Sequence, residues 1–186
     1  MCLRILLCLL PLLSVSSCSV FNDNLRPVER QSFYRSGQMG RAKLDAVIGR
    51  YEIRTVINLR GEHRDALWYQ REVQACAQNG VAHHDLKWSM LRIPDPESLS
   101  ALVNLIETAE KPVLVHCQAG VHRAGTASAV YQLMDGGSLE DAGGEFGLFF
   151  MKAPIGNLLE LYDESKPFAQ WVREDYPKLY AERISD

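Results

Sequence analysis

Cys117 and Arg123 stand six positions apart in the run Val113-Leu114-Val115-His116-Cys117-Gln118-Ala119-Gly120-Val121-His122-Arg123. A cysteine is a nucleophile only as its thiolate, so it needs a positive field around it. The loop residues Gln118, Ala119, Gly120, Val121 and His122 can turn successive backbone N–H groups toward one point, and the helix expected to follow adds the positive end of its dipole. Such a point binds a dianion and lowers the pKa of a thiol placed there. Arg123 returns to the same centre with a planar fork that can hold two phosphate oxygens as charge spreads over them in a transition state. Gly120 is expected to let the backbone approach that anion closely.

A constellation of this kind needs a strand to deliver Cys117 and a helix to receive Arg123. Val113-Leu114-Val115 is apolar throughout, as a buried parallel strand is, and a helix restarts after Arg123. Upstream, Tyr34-Arg35-Ser36 reads as an edge strand, and Leu44, Val47, Ile48 and Tyr51 recur at helical spacing. Thr55 to Asn58 reads as a strand, and residues 64–78 as a helix with Tyr69, Val73, Cys76 and Ala77 on one stripe. Val81 to Leu86 reads as a third strand. Asp95-Pro96-Glu97 supplies an N-cap, a first-turn proline and a first-turn acid for a helix burying Leu99, Leu102, Val103 and Ile106. From Ser138 onward, Phe149, Leu158, Leu159, Leu161, Phe168 and Trp171 predict further helices. Strands alternating with helices through short links predict one α/β domain, a small mainly parallel sheet flanked by helices. Parallel strand ends in such sheets are where ligands bind.

The chain has 186 residues, 20 Lys and Arg against 23 Asp and Glu, and 47% apolar residues, a globular composition without the cationic stripe that nucleic acid requires. Its N-terminus reads differently. Arg4 precedes an apolar run from Ile5 to Leu13 and then small residues, the pattern of an exported signal at 1–17. The run is too short, and too quickly followed by serines, for a membrane span of about 20 residues. Val15-Ser16-Ser17-Cys18 resembles the lipobox of bacterial lipoproteins. The resemblance implies a lipid on Cys18, with Ser19 pointing to the outer membrane of the periplasm. Residues 18–30 would then be a tether and 31–186 the domain. Ordinary signal cleavage with a free Cys18 is the alternative. Cys76 and Cys117 would be the thiols left in an oxidising compartment, with Cys76 read as a core residue and, less favourably, as a redox partner of Cys117.

His116-Cys117-x5-Arg123 resembles the signature loop of cysteine-dependent protein tyrosine and dual-specificity phosphatases. Tyr34-Arg35-Ser36-Gly37-Gln38, Val56-Ile57-Asn58-Leu59-Arg60 and Gly120-Val121-His122-Arg123 extend the likeness to the compact atypical group of bacteria, plants and fungi, over about residues 33–133. The resemblance implies a tyrosine-phosphatase-like fold and a two-step reaction. Cys117 would attack phosphorus to form phosphocysteine, an acid would protonate the leaving oxygen, and water would release phosphate. His116 would set the loop, and neither metal nor cofactor is required. The implied partner is a phosphoprotein or a phosphorylated small molecule.

Two features depart from that pattern. The family has Ser or Thr after the arginine, where its hydroxyl stabilises the thiolate and assists breakdown of the intermediate; here Ala124 stands there, and Thr126 falls inside the helix. A slow enzyme, or a lipoprotein that binds phosphoryl groups with little turnover, follows as the alternative. The general acid has two candidates, Asp85 at the expected distance but within a strand, and Asp95, which already has a sufficient role as helix cap. His122 could also donate a proton. A weak acid favours aryl phosphates or phosphoanhydrides, whose leaving groups need little protonation. His83 and His84 are strand neighbours pointing to opposite faces, a poor start for a metal site. Arg60, Glu62 and His63 lie where they could line the rim or face solvent. A rhodanese-like sulfur carrier or thiol oxidoreductase would also use a cysteine in such a loop, but has no use for Arg123.

Overall fold

Val113-Leu114-Val115 has no side that suits water, and the fold gives it none: it becomes the centre of the sheet, buried at every position. The computed structural model describes residues 23–146 and 153–185. The expected signal at 1–17, Cys18 with its lipid and Phe149 lie outside the described residues. The elements are β1 (Arg26–Glu29), β2 (Phe33–Ser36), α1 (Arg41–Tyr51), β3 (Thr55–Asn58), α2 (Leu67–Gln78), β4 (Ala82–Asp85), α3 (Pro96–Thr108) and β5 (Val113–His116). There follow α4 (His122–Met134), α5 (Leu139–Gly144), a 3-10 helix (Pro154–Leu161), α6 (Phe168–Glu174) and α7 (Tyr176–Ser185).

The sheet runs in the order β1-β2-β5-β3-β4, with β1 antiparallel and every other pairing parallel. Strand alternation sorts the side chains onto two faces. Phe33, Ile57, Val113 and Val115 face a core built with α3, α4, α6 and α7. Tyr34, Val56 and Leu114 face a second core under α1 and α2, closed by Leu44, Val47, Ile48, Ala75 and Cys76. Each fully buried Leu, Ile or Phe in these layers contributes about 1.5–3 kcal/mol over leaving it in water.

The mainly parallel α/β sheet matches the expectation, but three local assignments change. Tyr34-Arg35-Ser36 is not an edge strand: β2 pairs with both β1 and β5, and all four of its residues are buried. The edge is β1, which falls in the segment assigned to a tether at 18–30. With Pro27, two charges and a register shift between Pro27 and Glu29, β1 carries what blunts an exposed edge and hides a strand from a hydrophobic reading. On α2 the buried stripe runs through Tyr69, Glu72, Ala75 and Cys76, while Val73 is exposed and Ala77 lies outside it. A glutamate on the inner face broke the apolar pattern.

Helix α4 is buried on nearly every side, from Ala124 to Tyr131. Its small residues admit close packing, and the hydroxyls of Thr126 and Ser128 donate to the carbonyls of His122 and Ala124, four residues back, at 3.0 and 2.8 Å. Cys76 is buried in the second core, as expected, where desolvation pushes its thiol up to about 12. Among the described residues no helix is long and apolar enough to cross a membrane.

Helix α3 starts as its sequence dictates: the Asp95 carboxylate accepts from Ser98 N at 2.9 Å, with Pro96 in the first turn. Asp95→Ala should therefore lower stability in urea denaturation by about 1 kcal/mol, whereas Asp95→Asn, an equally good cap, should stay within a few tenths.

Candidate active site

Strand β5 ends at His116, Cys117 follows, and the chain turns through residues 118–121 into α4. Cys117 is 3% exposed, beneath the loop. Four consecutive loop carbonyls are engaged by other parts of the chain. Gln118 O accepts from Gln38 N at 3.0 Å, Ala119 O from Asn24 Nδ2 at 2.6 Å, Gly120 O from Arg35 Nη2 at 3.1 Å, and Val121 O from Gly125 N at 2.7 Å. A trans peptide points its N–H opposite its C=O. Holding these carbonyls outward therefore turns the N–H groups of residues 119–122 inward, the arrangement an anion cradle requires.

Gly120 is required by the seating of the loop on the sheet. Its φ is +69°, and a Cβ there would sit 2.4 Å from Gly37 N and 2.6 Å from Ser36 C. The close approach is to the end of β2. Any side chain would push the loop off the sheet.

Arg123 lies in the first turn of α4, with Nη1 3.4 Å from the carbonyls of both Leu59 and Trp88. The guanidinium thus reaches the ends of β3 and of the segment after β4. Arg60 joins it there: its guanidinium stacks 3.6 Å over the Trp68 ring and Nη1 donates to Gln38 Oε1 at 2.9 Å. Desolvation, then repulsion from Arg123, lowers the Arg60 pKa, while Cys117 and Glu72 raise it. Of the suggested rim residues, Arg60 belongs with the loop, and Glu62 pairs with exposed Arg64 instead.

Behind the loop lies a buried carboxylate that sequence reasoning missed. Glu72 of α2 is 3% exposed. Its Oε1 accepts from His116 Nε2 and His83 Nε2, each at 3.0 Å, and its Oε2 from Gln38 Nε2 at 2.5 Å. A carboxylate only accepts, so both imidazoles carry hydrogen on Nε2. His116 is thereby fixed by a partner 44 positions away. The available signal was an acid falling between Tyr69 and Cys76 at inner-face spacing. Burial pushes the Glu72 carboxyl up, but the hydrogen bonds from His116, His83 and Gln38 outweigh it and hold the group down to about 2.

The two candidate acids are both engaged. Asp85 accepts from Asn58 Nδ2 at 2.7 Å and from Tyr69 OH at 2.5 Å, which ties the ends of β3 and β4 to α2. Asp95 caps α3. Ala124 is fully buried at the first turn of α4, and the Thr126 hydroxyl is spent on the helix backbone, so neither supplies a hydroxyl to Cys117. Among the described residues no group of three or more His, Cys, Asp or Glu side chains could hold a metal ion.

The Glu72 pKa lies below its ordinary value of 4.5, so its stabilising contribution is complete above about pH 4.5 and disappears as pH falls toward 2. A shift of this size corresponds to roughly 3 kcal/mol. The stability difference between wild type and Glu72→Gln, followed by urea denaturation from pH 7 to 2.5, should therefore narrow steadily below pH 4.5.

Known proteins resemble the chain in sequence pattern and in fold. The family model described as DSP-PTPase phosphatase fused to NAD+ kinase matches residues 10–148. Among curated proteins none matches. Among solved structures, the core catalytic domain of the PP-IP phosphatase SIW14 from S. cerevisiae is similar with a TM-score of 0.66 at 19% identity, over 83% of this chain and 94% of that one. TpbA from P. aeruginosa in complex with pTyr is similar with a TM-score of 0.58 at 21% identity, over 81% and 88%. A DUF442 protein from Shewanella putrefaciens gives 0.59 at 22% identity, over 74% and 87%. At these identities the structures speak for the fold. The family model covers most of the sequence and contains the whole segment from Cys117 to Arg123, and on that ground the chain belongs to the DSP-PTPase family of tyrosine and dual-specificity phosphatases.

Proposed function

We propose that the protein hydrolyses phosphomonoesters through a phosphocysteine formed on Cys117. The observation that carries this reading is the capture of the loop carbonyls around Cys117 by partners outside the loop, which leaves the N–H edges of the same peptides available to an anion. The thiolate attacks phosphorus and displaces the leaving oxygen. Arg123 and the loop N–H groups take the charge spread over the three equatorial oxygens. Water then attacks the phosphocysteine, returns the thiolate and releases inorganic phosphate.

Two features bias the substrate. Asp85 is held by two hydrogen bonds and Asp95 caps a helix, so protonation of a poor leaving group is weakly provided for. Substrates whose leaving oxygen departs readily are favoured, namely phosphotyrosine-like aryl phosphates and the phosphoanhydrides of inositol pyrophosphates. The structural neighbours named above, one a PP-IP phosphatase and one crystallised with pTyr, are in keeping with both classes. Arg60 beside Arg123 suits a substrate with more than one negative charge. The N-terminal pattern supports export and attachment through a lipid on Cys18 to the periplasmic face of the outer membrane.

Ala124 supports a second reading, in which phosphoryl ligands bind and turnover is slight. Phosphate release from p-nitrophenyl phosphate under reducing conditions separates the two. Turnover abolished in Cys117→Ser establishes the enzyme, and tight phosphate binding with no turnover establishes the binder. On the enzyme reading, Ala124→Ser or Ala124→Thr should raise kcat by roughly tenfold through a restored hydrogen bond to the thiolate leaving group. An unchanged kcat in variants that fold would remove Ala124 as the cause of slow turnover.

A further inference from the structure

We propose that Arg35 is a positioning residue for the reaction assigned above: from behind the loop, its buried guanidinium holds the Gly120 and Val121 peptides in the orientation that makes the loop bind an oxyanion. The inference rests on the reading of Cys117 as the nucleophile, and it names a residue that never touches the substrate.

Arg35 sits on β2, next to β5 in parallel register, with Arg35 opposite Val115. Its residue exposure is 4%. Nη2 donates to Gly120 O at 3.1 Å and lies 3.5 Å from Val121 O. Nη1 donates to Glu145 O at 2.7 Å and to Glu145 Oε2 at 2.9 Å. One planar group therefore ties the outer surface of the loop to the segment after α5. The 3.5 Å contact is marginal by itself, but Val121 O also accepts from Gly125 N, so Gly120 O is the carbonyl that depends on Arg35.

Without Arg35, Gly120 O would be a buried carbonyl with no partner, and the cheapest relief would be rotation of the peptide joining residues 120 and 121. Gly120 is the residue that permits such a rotation, since the flip changes its ψ, and glycine at positive φ accepts ψ values closed to other residues. The rotation would carry the Val121 N–H away from the anion and replace it with a carbonyl dipole of the wrong sign. A lysine cannot substitute: a single ammonium on a flexible stem cannot span Glu145 and the loop in a fixed plane.

Charge acts in the same direction. Arg26 and Arg35 share one acid, Glu145, at 3.3 and 2.9 Å, which leaves a surplus positive charge behind Cys117. Burial, then Arg26, lowers the Arg35 pKa to about 10, with Glu145 and Cys117 opposing, so the group stays cationic at neutral pH. That cation lies within electrostatic reach of Cys117, at a site where Ala124 offers no hydroxyl.

The test compares wild type, Arg35→Lys and Arg35→Ala as full chains. Three measurements are made: tungstate affinity by calorimetry, the pH midpoint of iodoacetamide modification on the Cys117 peptide, and kcat/KM for p-nitrophenyl phosphate. Circular dichroism checks the fold. Arg35→Lys is expected to remain folded, to bind tungstate roughly tenfold or more weakly, and to shift the Cys117 midpoint to higher pH. Millimolar guanidinium should restore part of the tungstate affinity to Arg35→Ala and none to wild type. Should Arg35→Ala fail to fold, Arg35→Lys alone carries the test. A folded variant with tungstate affinity within twofold of wild type and an unmoved Cys117 midpoint overturns the proposal, even if its melting temperature falls. Binding and alkylation do not require turnover. A wild type that binds tungstate without releasing phosphate would therefore sink the hydrolase reading and leave the Arg35 result standing.

Discussion

A peptide group carries its donor and acceptor on opposite edges, and a loop that offers its donors to an anion must find partners for its acceptors elsewhere. Most of the architecture around Cys117 answers that requirement. The end of β2 contributes the Gln38 N–H, the chain before β1 contributes the Asn24 amide, β2 itself contributes Arg35, and the first turn of α4 contributes Gly125 N. The Gly120 position, where a Cβ would strike Gly37 and Ser36, shows how closely the loop is seated on these partners. A loose loop with the same sequence would have no preferred peptide orientation and no field to act on a thiol.

The same region explains why the polar network under the sheet is built from charged groups. Glu72 collects His116, His83 and Gln38, and Gln38 passes the connection to Arg60, which stacks on Trp68. The carboxylate and its two imidazoles lie on the face of the sheet away from α4. A buried carboxylate is costly unless every lone pair is used, and here three donors meet it. Helix α2 is thus connected to the loop by side chains, although the second core separates most of it from α4.

Much of this was readable from residue types alone. The apolar run Val113-Leu114-Val115, the Asp95-Pro96-Glu97 cap and the Cys117 to Arg123 spacing each have one dominant physical solution, and each adopts it. The misread parts share a different property: their meaning depends on partners remote in sequence. Glu72 looks like a solvent-facing charge until His116 and His83 are brought to it. Arg35 looks like an edge residue until Gly120 folds over it, and β1 looks like a linker because edge strands are built to be unattractive to hydrophobic neighbours. At Gly120, only the position of β2 reveals the backbone that the missing Cβ makes way for.

The anchoring of the loop also reaches the chain's entry into the domain. Asp23 O accepts from Gly37 N at 2.5 Å, the Asp23 carboxylate pairs with Lys43 at 2.8 Å, and Asn24 holds Ala119 O. The stretch where a linker would be expected to end is therefore already part of the support of the loop after Cys117. A shortened form of the protein that begins at β1 would keep every described strand together with Cys117 and Arg123, yet would lack one of the four supports on which the loop's shape depends. The hydrogen bond from Asn24 to Ala119 thus makes residues before the first strand part of what shapes the loop.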